Sequence, residues 1–299
     1  MKEIASYWLA IIKRAVSLWL DGHAGSYAAA LAFFTLFSMA PVVILAVKVI
    51  SLVMSSDVAM NQIMAQLQST IGADAANQVR NAVQHSGFTE GGLLASITSL
   101  ALMIVGATTV FAQMQRSLNT LWEVVPRPSR NTILALLKSR LLSLTIVLAL
   151  GFVLLVSLVL SVAVSAVMEF ARDWLPIPGA AVMVSELLVS VLVTALLFAT
   201  MFRLLPDVIL RWKDVIPGAL ITAVLFVIGR ALIALYLSHT ATASTYGAAG
   251  SLVVLLLWVY YSSMILLFGA AFTRAHTEAR GISVAARSTA VRVQRQMLD

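Results

Sequence analysis

The chain contains no cysteine, which excludes a disulfide framework, thiolate catalysis and cysteine-based metal sites. It has little charge: Asp, Glu, Lys and Arg make up 11% of its 299 residues, against about 25% in ordinary soluble domains. Its four histidines, His23, His85, His239 and His276, fall in four separate segments with no HxxxH or HxH pair at metal-ligand spacing. The carboxylates form no clustered motif, and no Walker sequence is present, which argues against a nucleotide-driven pump. No cofactor and no metal site are expected, and enzyme activity is not expected.

What the chain does have is apolar surface. Hydrophobic residues make up 61% of it and the mean hydropathy is +0.96, so the sequence predicts an all-α polytopic membrane protein. Six spans are expected, at about 27–54, 92–111, 141–168, 181–202, 216–238 and 248–272. They form a single membrane domain over 1–275, followed by a polar cytoplasmic tail at 276–299 that is mobile toward its end. The net charge of +7 is unevenly placed. Sixteen of the twenty Lys and Arg residues lie before the first span, between the second and third, between the fourth and fifth, or after the sixth. The positive-inside rule then places both termini in the cytoplasm. Such a face attracts anionic lipid, so membrane lipids are the expected partners. Nucleic acid is not expected, and a homo-oligomer is compatible with the sequence. The first 23 residues include Asp21 and lack a cleavable signal pattern, so the first span is expected to be retained.

The most informative stretch runs from Arg203 to Gly250. Ile216 to Ser238 supplies 23 residues with one charge, enough to cross a core of about 30 Å at about 1.5 Å per residue. Asp214 is expected to cap this helix, with Pro217 and Gly218 in its first turn, where a missing N–H costs little. Arg230 falls roughly 4.5 Å past the middle of the span. An arginine there costs about 2.5–3.5 kcal/mol, less than the Leu, Ile, Val and Phe side chains return. The helix still inserts, and Arg230 is expected to turn away from lipid, with Ala219, Ala223 and Ala234 on a small-residue packing surface.

Two further charges fall within spans. Lys48 lies near the outer end of the first, where it can snorkel, and Glu186 enters the fourth from the same side. A Lys48–Glu186 or Arg230–Glu186 pair is the expected way to satisfy them. Pro41, near the middle of the first span, predicts a kink. Thr245 and Tyr246, in the uncharged loop HTATASTYG at 239–247, are candidate lining residues of a polar vestibule or of a re-entrant segment, and a simple outer turn accounts for the loop equally well.

Between the spans, residues 1–25 form an amphipathic run with Trp8, Trp19, Lys13 and Arg14, expected on the cytoplasmic membrane surface. Residues 55–90 carry Met60, Ile63, Met64, Leu67 and Ile71 at helical spacing, then Val79 and Val83, predicting two short amphipathic helices that cap the outer face. The second span continues as a helix into the polar run AQMQRSLNTLWEV, ending at Pro126-Arg127-Pro128. Trp258, Tyr260 and Tyr261 lie too deep for an interfacial belt and are expected inside the bundle.

Several of these stretches together carry a resemblance. AAALAFFTLFSMAP at 28–41, SLNTLW at 117–122, RLLPDVILRWKDVIPGA at 203–219, Tyr246-Gly247 and LLLWVYYSSMILLFGA at 255–270 resemble the YihY/virulence factor BrkB family of bacterial inner-membrane proteins, over about residues 20–275. The last span departs from that pattern: Gly269-Ala270-Ala271 stands where Gly-Ala-Glu is expected. The resemblance implies an integral protein of the bacterial inner membrane with about six helices. Relatives have carried a ribonuclease label, a link to virulence, and suggestions of export or lipid transport.

A ribonuclease needs a general acid and base, or a metal cluster, where RNA can reach; the residues supply neither. A transporter or exporter of a small anionic solute or lipid accounts for more of them. Arg230 would be the anion contact, Lys48 would assist, and Glu186 would serve as counter-charge or proton carrier, with Thr245 and Tyr246 nearby. The alternative is a structural or scaffolding protein of the cell envelope, in which the intramembrane charges only hold helices together.

Overall fold

The computed structural model describes residues 2–51, 54–71, 73–84, 93–127, 179–239 and 248–293. They form a mostly helical, polytopic membrane fold: α1 (Lys2–Asp21), α2 (Ala24–Ile50), α3 (Ser56–Ile71), α4 (Ala73–Gln84), α5 (Leu93–Leu121), β1 (Val124–Pro126), α6 (Gly179–Leu204), α7 (Trp212–His239), α8 (Ala248–Ala279) and β2 (Ala290–Arg292). Among the described residues, four helical segments are long and apolar enough to cross a membrane: Ala24–Lys48, Leu187–Leu204, Trp212–Ile233 and Leu252–Ala279. α5 carries the segment expected as the second span, and the expected third span at 141–168 lies outside the described residues.

α8 is the hub, packing against α1, α2, α5 and α7, while α6 and α7 form a neighbouring hairpin. Its sequence explains the position. Leu255, Trp258, Leu267, Ala271, Phe272 and Ala275 are buried and lie at many angles around the helix; a helix apolar on several sides belongs inside. Trp258 is buried as expected, while Tyr260 and Tyr261 are partly covered.

Two reciprocal glycine contacts set the α7–α8 crossing. A Cβ at Gly218 would collide with Thr273 Oγ1, and one at Gly269 with Thr222 Oγ1. Each threonine turns its hydroxyl back onto its own helix: Thr222 donates to the Gly218 carbonyl at 2.6 Å, and Thr273 to that of Gly269 at 2.8 Å. Small residues let the backbones approach, and back-bonding satisfies both threonine hydroxyls where the helices meet. Likewise, Pro41 lies inside α2 and its ring packs against Gly106 of α5, where a Cβ would sit 2.8 Å from Pro41 Cγ.

α7 starts four residues earlier than expected, at Trp212, because of its cap. Asp214 is its third residue, and its carboxylate accepts from the backbone N–H of Arg211 at 3.3 Å, as in half of a capping box. Pro217 is therefore past the four N–H groups that a helix leaves free, and it cannot donate to the carbonyl of Lys213.

α3 and α4 occupy the segment expected to hold two short helices. They pack on each other, on α2 and on α8, with Ala59, Met64 and Val79 buried beside Val43, Val47, Leu255 and Trp258. α1 lies along α8 through Ile11, Ala15 and Leu18, leaving Leu9, Ile12, Val16 and Leu20 exposed as a second apolar stripe.

At the opposite end from α3 and α4, the chain after α8 folds back. α8 ends in a Schellman turn, with Ile282 N bonded to Thr277 O, Gly281 N bonded to Glu278 O, and Gly281 at φ 65°. Val284 is buried, Ala286 bridges Val208, and β2 pairs antiparallel with β1, Val125 opposite Val291. The tail up to Val293 thus folds back on the bundle, which its polarity did not indicate, and its last residues, where mobility was expected, lie outside the described residues.

Candidate functional site

The expected site residues do not converge. Arg230 is exposed on α7 rather than turned into the bundle. The neighbouring Gly229 takes the inward position, where the ring of Tyr261 lies against its Cα. Consecutive helical residues point about 100° apart, so when glycine admits Tyr261 the arginine is turned outward. Arg230 makes no ion pair or hydrogen bond among the described residues. Glu186 lies eighteen residues from the loop end of α6, and Arg230 eighteen residues from the loop end of α7. The two backbone positions therefore share a depth in the hairpin, roughly 27 Å from the loop; the side chain of Glu186 lies outside the described residues. Lys48 is exposed in the last turn of α2, without an ion pair among the described residues. Thr245 and Tyr246 lie outside the described residues. Pro41 and Gly218 serve helix packing, while Pro217 lies inside α7 past its first turn rather than at the helix entry.

The side chains that do converge lie at the end of the bundle where β1, β2 and the loop between α6 and α7 meet. Asn119 and Asp207 hold each other reciprocally. Asn119 Nδ2 donates to Asp207 Oδ2 at 2.8 Å, and the Asp207 N–H donates to Asn119 Oδ1 at 2.8 Å. Gln115 donates to the same carboxylate oxygen at 3.3 Å, and the Arg287 N–H donates to the Asp207 carbonyl at 2.9 Å. Arg287 also donates through Nη2 to the Arg203 carbonyl at 3.0 Å. One turn thus ties α5, the 205–211 loop and the returning tail together.

A second knot centres on Arg274. Its guanidinium pairs with Glu123 at 3.1 Å and Glu278 at 2.7 Å and donates through Nη1 to the Leu121 carbonyl at 2.5 Å. Arg14 of α1 reaches the same Glu278 at 3.1 Å. A cavity of about 140 Å³ opens beside it, lined by Trp122, Thr277, Ser283 and Arg292 among others. In a third knot, buried Asp214 accepts from Arg211 at 3.0 Å and lies 3.7 Å from Arg280. The Asp214 carboxylate raises the pKa of the Arg211 guanidinium above its ordinary value. His276 is buried, and its ring lies parallel to those of Trp8 of α1 and Phe272, each of the three centroids about 6 Å from the other two.

Chemically, these carboxylates are engaged by arginines and amides, which suits the fastening of segments. Among the described residues no group of three or more His, Asp and Glu is placed to hold a metal ion. Asn119, Asp207 and Arg274 escaped selection as site residues because each is ordinary alone; the available signal was the motif context, SLNTLW for Asn119 and RLLPDV for Asp207.

That junction joins two of the stretches that carried the resemblance, and a family model for virulence factor BrkB matches residues 15–294. The chain belongs to the virulence factor BrkB family. Among similar proteins, a UPF0761 membrane protein of Nitrosospira multiformis is 29% identical over 81% of this chain and 55% of its own length. A Bacillus subtilis protein named ribonuclease-like is 27% identical over 83% of this chain and 88% of its own. A UPF0761 membrane protein of Stenotrophomonas maltophilia is 26% identical over 85% and 58%. The chain thus spans little more than half the length of the two UPF0761 relatives. No solved structure matches the chain. In this family member the last long helix carries Ala271, fully buried, at the position where the resemblance leads one to expect a glutamate.

Proposed function

We propose that this BrkB-family membrane protein handles an anionic lipid or small anionic solute, with Arg230 as the contact for the negative group. The observation that carries the reading is the exposed Arg230, free of ion pairs among the described residues, on a stretch of α7 from Ile216 to Leu232 whose exposed residues are otherwise apolar. Ile216, Leu220, Val224, Ile228 and Leu232 are all exposed on α7. If the amphipathic Trp212 marks one membrane interface, Arg230 lies about 27 Å further along. That is near the opposite headgroup layer of a core about 30 Å thick. An arginine there can meet a phosphate or carboxylate while its stem stays on the apolar ridge. Lys48 and Glu186 remain the candidate assisting base and counter-charge, and Thr245 and Tyr246 the candidate loop contacts.

The accompanying topology is six spans with both termini in the cytoplasm of a bacterial inner membrane, supported by the distribution of basic residues. The protein works without nuclease chemistry and without nucleic acid as partner. Reconstitution into liposomes tests the function. Fluorescent phosphatidylglycerol translocation and release of a trapped organic anion are followed for wild type, R230A and R230K, together with ribonuclease activity of the same preparation.

A scaffolding role is the second reading, favoured by the three knots that fasten α1, α5, α8, the 205–211 loop and the tail. Wild type inactive in both flux assays, with R230A equal to it in stability, would favour that reading.

A further inference from the structure

We propose that an anionic phospholipid binds at the start of α7, its phosphate held by Arg203, Arg211 and Lys213 and its acyl chain lying on the exposed ridge of that helix. This site lies at the far end of α7 from Arg230 and stands whether or not Arg230 takes part in transport.

Three observations converge. The first is uncompensated charge. Arg203 makes no ion pair among the described residues, and its guanidinium carbon lies 4.4 Å over the Trp212 ring, a cation–π contact that holds it in place. Lys213 is exposed and also unpaired among the described residues. The Arg211 side chain is 67% exposed while its partner Asp214 is 4% exposed, and Asp214 also faces Arg280. The nearest buried carboxylate is thus shared by two arginines, leaving the surface positive.

The second is the shape of the neighbouring apolar surface. Trp212, Ile216, Leu220 and Val224 are exposed at four-residue spacing, a ridge running straight down from the cations. Ile209 in the adjoining loop is also exposed, as are Leu192 and Leu196 on α6, the helix paired with α7. Positive charge that grades within one turn into a lengthwise apolar ridge is complementary to a molecule with a phosphate at one end and hydrocarbon at the other. A free phosphate would have no use for the ridge, and a zwitterionic lipid gains less from the cations.

The third is rigidity. The loop between Arg203 and Arg211 is fastened by Asn119 to Asp207, by the Arg287 N–H to the Asp207 carbonyl, by Arg287 Nη2 to the Arg203 carbonyl, and by the Ile209 N–H to the Ala285 carbonyl at 2.9 Å. The backbone that carries the cations is therefore fixed, and the Arg203 side chain is held on Trp212, before the lipid arrives, which lowers the ordering cost of binding.

The test uses the full chain in nanodiscs of defined composition, with lipid retained after detergent extraction measured by native mass spectrometry. Wild type is expected to retain phosphatidylglycerol at least fivefold over phosphatidylcholine, and R203Q/K213A to lose that preference. K213A alone, a surface change that leaves the fold intact, should reduce it by half or more. Inorganic phosphate at millimolar concentration should not displace the lipid. Equal retention of the two lipids by wild type would overturn the proposal. So would an unchanged preference in K213A and the double variant, or displacement by inorganic phosphate.

Discussion

Asn119 and Asp207 lie 88 residues apart in sequence and exchange two hydrogen bonds of 2.8 Å, one from the Asn119 amide to the Asp207 carboxylate and one from the Asp207 backbone back to the Asn119 carbonyl. The pairing is directional: the amide must present its nitrogen to the carboxylate and its oxygen to the N–H at once. It fixes the end of α5 to the start of the loop that leads into α7, and through Arg287 it recruits the tail.

Replacing Asn119 by Ala removes both bonds and leaves Asp207 with the weaker Gln115 contact. A loss of about 1.5–3 kcal/mol is expected for a hydrogen bond to a charged group, read as a lower Tm in detergent. N119D should cost more, since it sets a second carboxylate against Asp207. Equal Tm for N119D and wild type would contradict the pairing.

The α7–α8 seam makes a separate prediction. G218A drives a methyl into Thr273 and should destabilise by about 1–3 kcal/mol, the usual range for overpacking. T273A removes the obstructing hydroxyl, so the double variant G218A/T273A should lose less than the sum of the two single changes. The coupling is measured by a double-mutant cycle of thermal unfolding; strict additivity would mean that the two residues do not meet.

Arg274 joins α8 to the end of α5 through Glu123 and the Leu121 carbonyl, and the strand that follows, β1, is the one on which the tail pairs. R274A should release residues 280–293, raising their amide exchange and opening them to protease while the long helices stay protected. Unchanged protection of that segment would show that β1–β2 pairing suffices without the arginine.

The helices were legible because their cause is local. Long apolar runs, the turn at Asp21-Gly22-His23 and the spaced Met60, Ile63, Met64 and Leu67 each act within a few residues, and the structure places α2, α3, α4, α7 and α8 accordingly. What was not legible depends on contacts between distant segments. Nothing near Arg230 in sequence shows that Tyr261, on another helix, fills the face beside Gly229 and so turns the arginine outward. The tail likewise reads as polar until Val124–Pro126 supplies a strand for Ala290–Arg292. The start of α7 was misplaced because Asp214 caps from inside the helix, a reach its residue type alone does not reveal.

The central claim concerns Arg230, and the direct measurement is transbilayer flux in proteoliposomes containing wild type, R230K or R230A at matched yield and Tm. The account expects movement of phosphatidylglycerol or of a trapped organic anion by wild type, partial activity in R230K, and at least a tenfold reduction in R230A. Flux by R230A equal to wild type, or no flux of either probe by wild type, would contradict it.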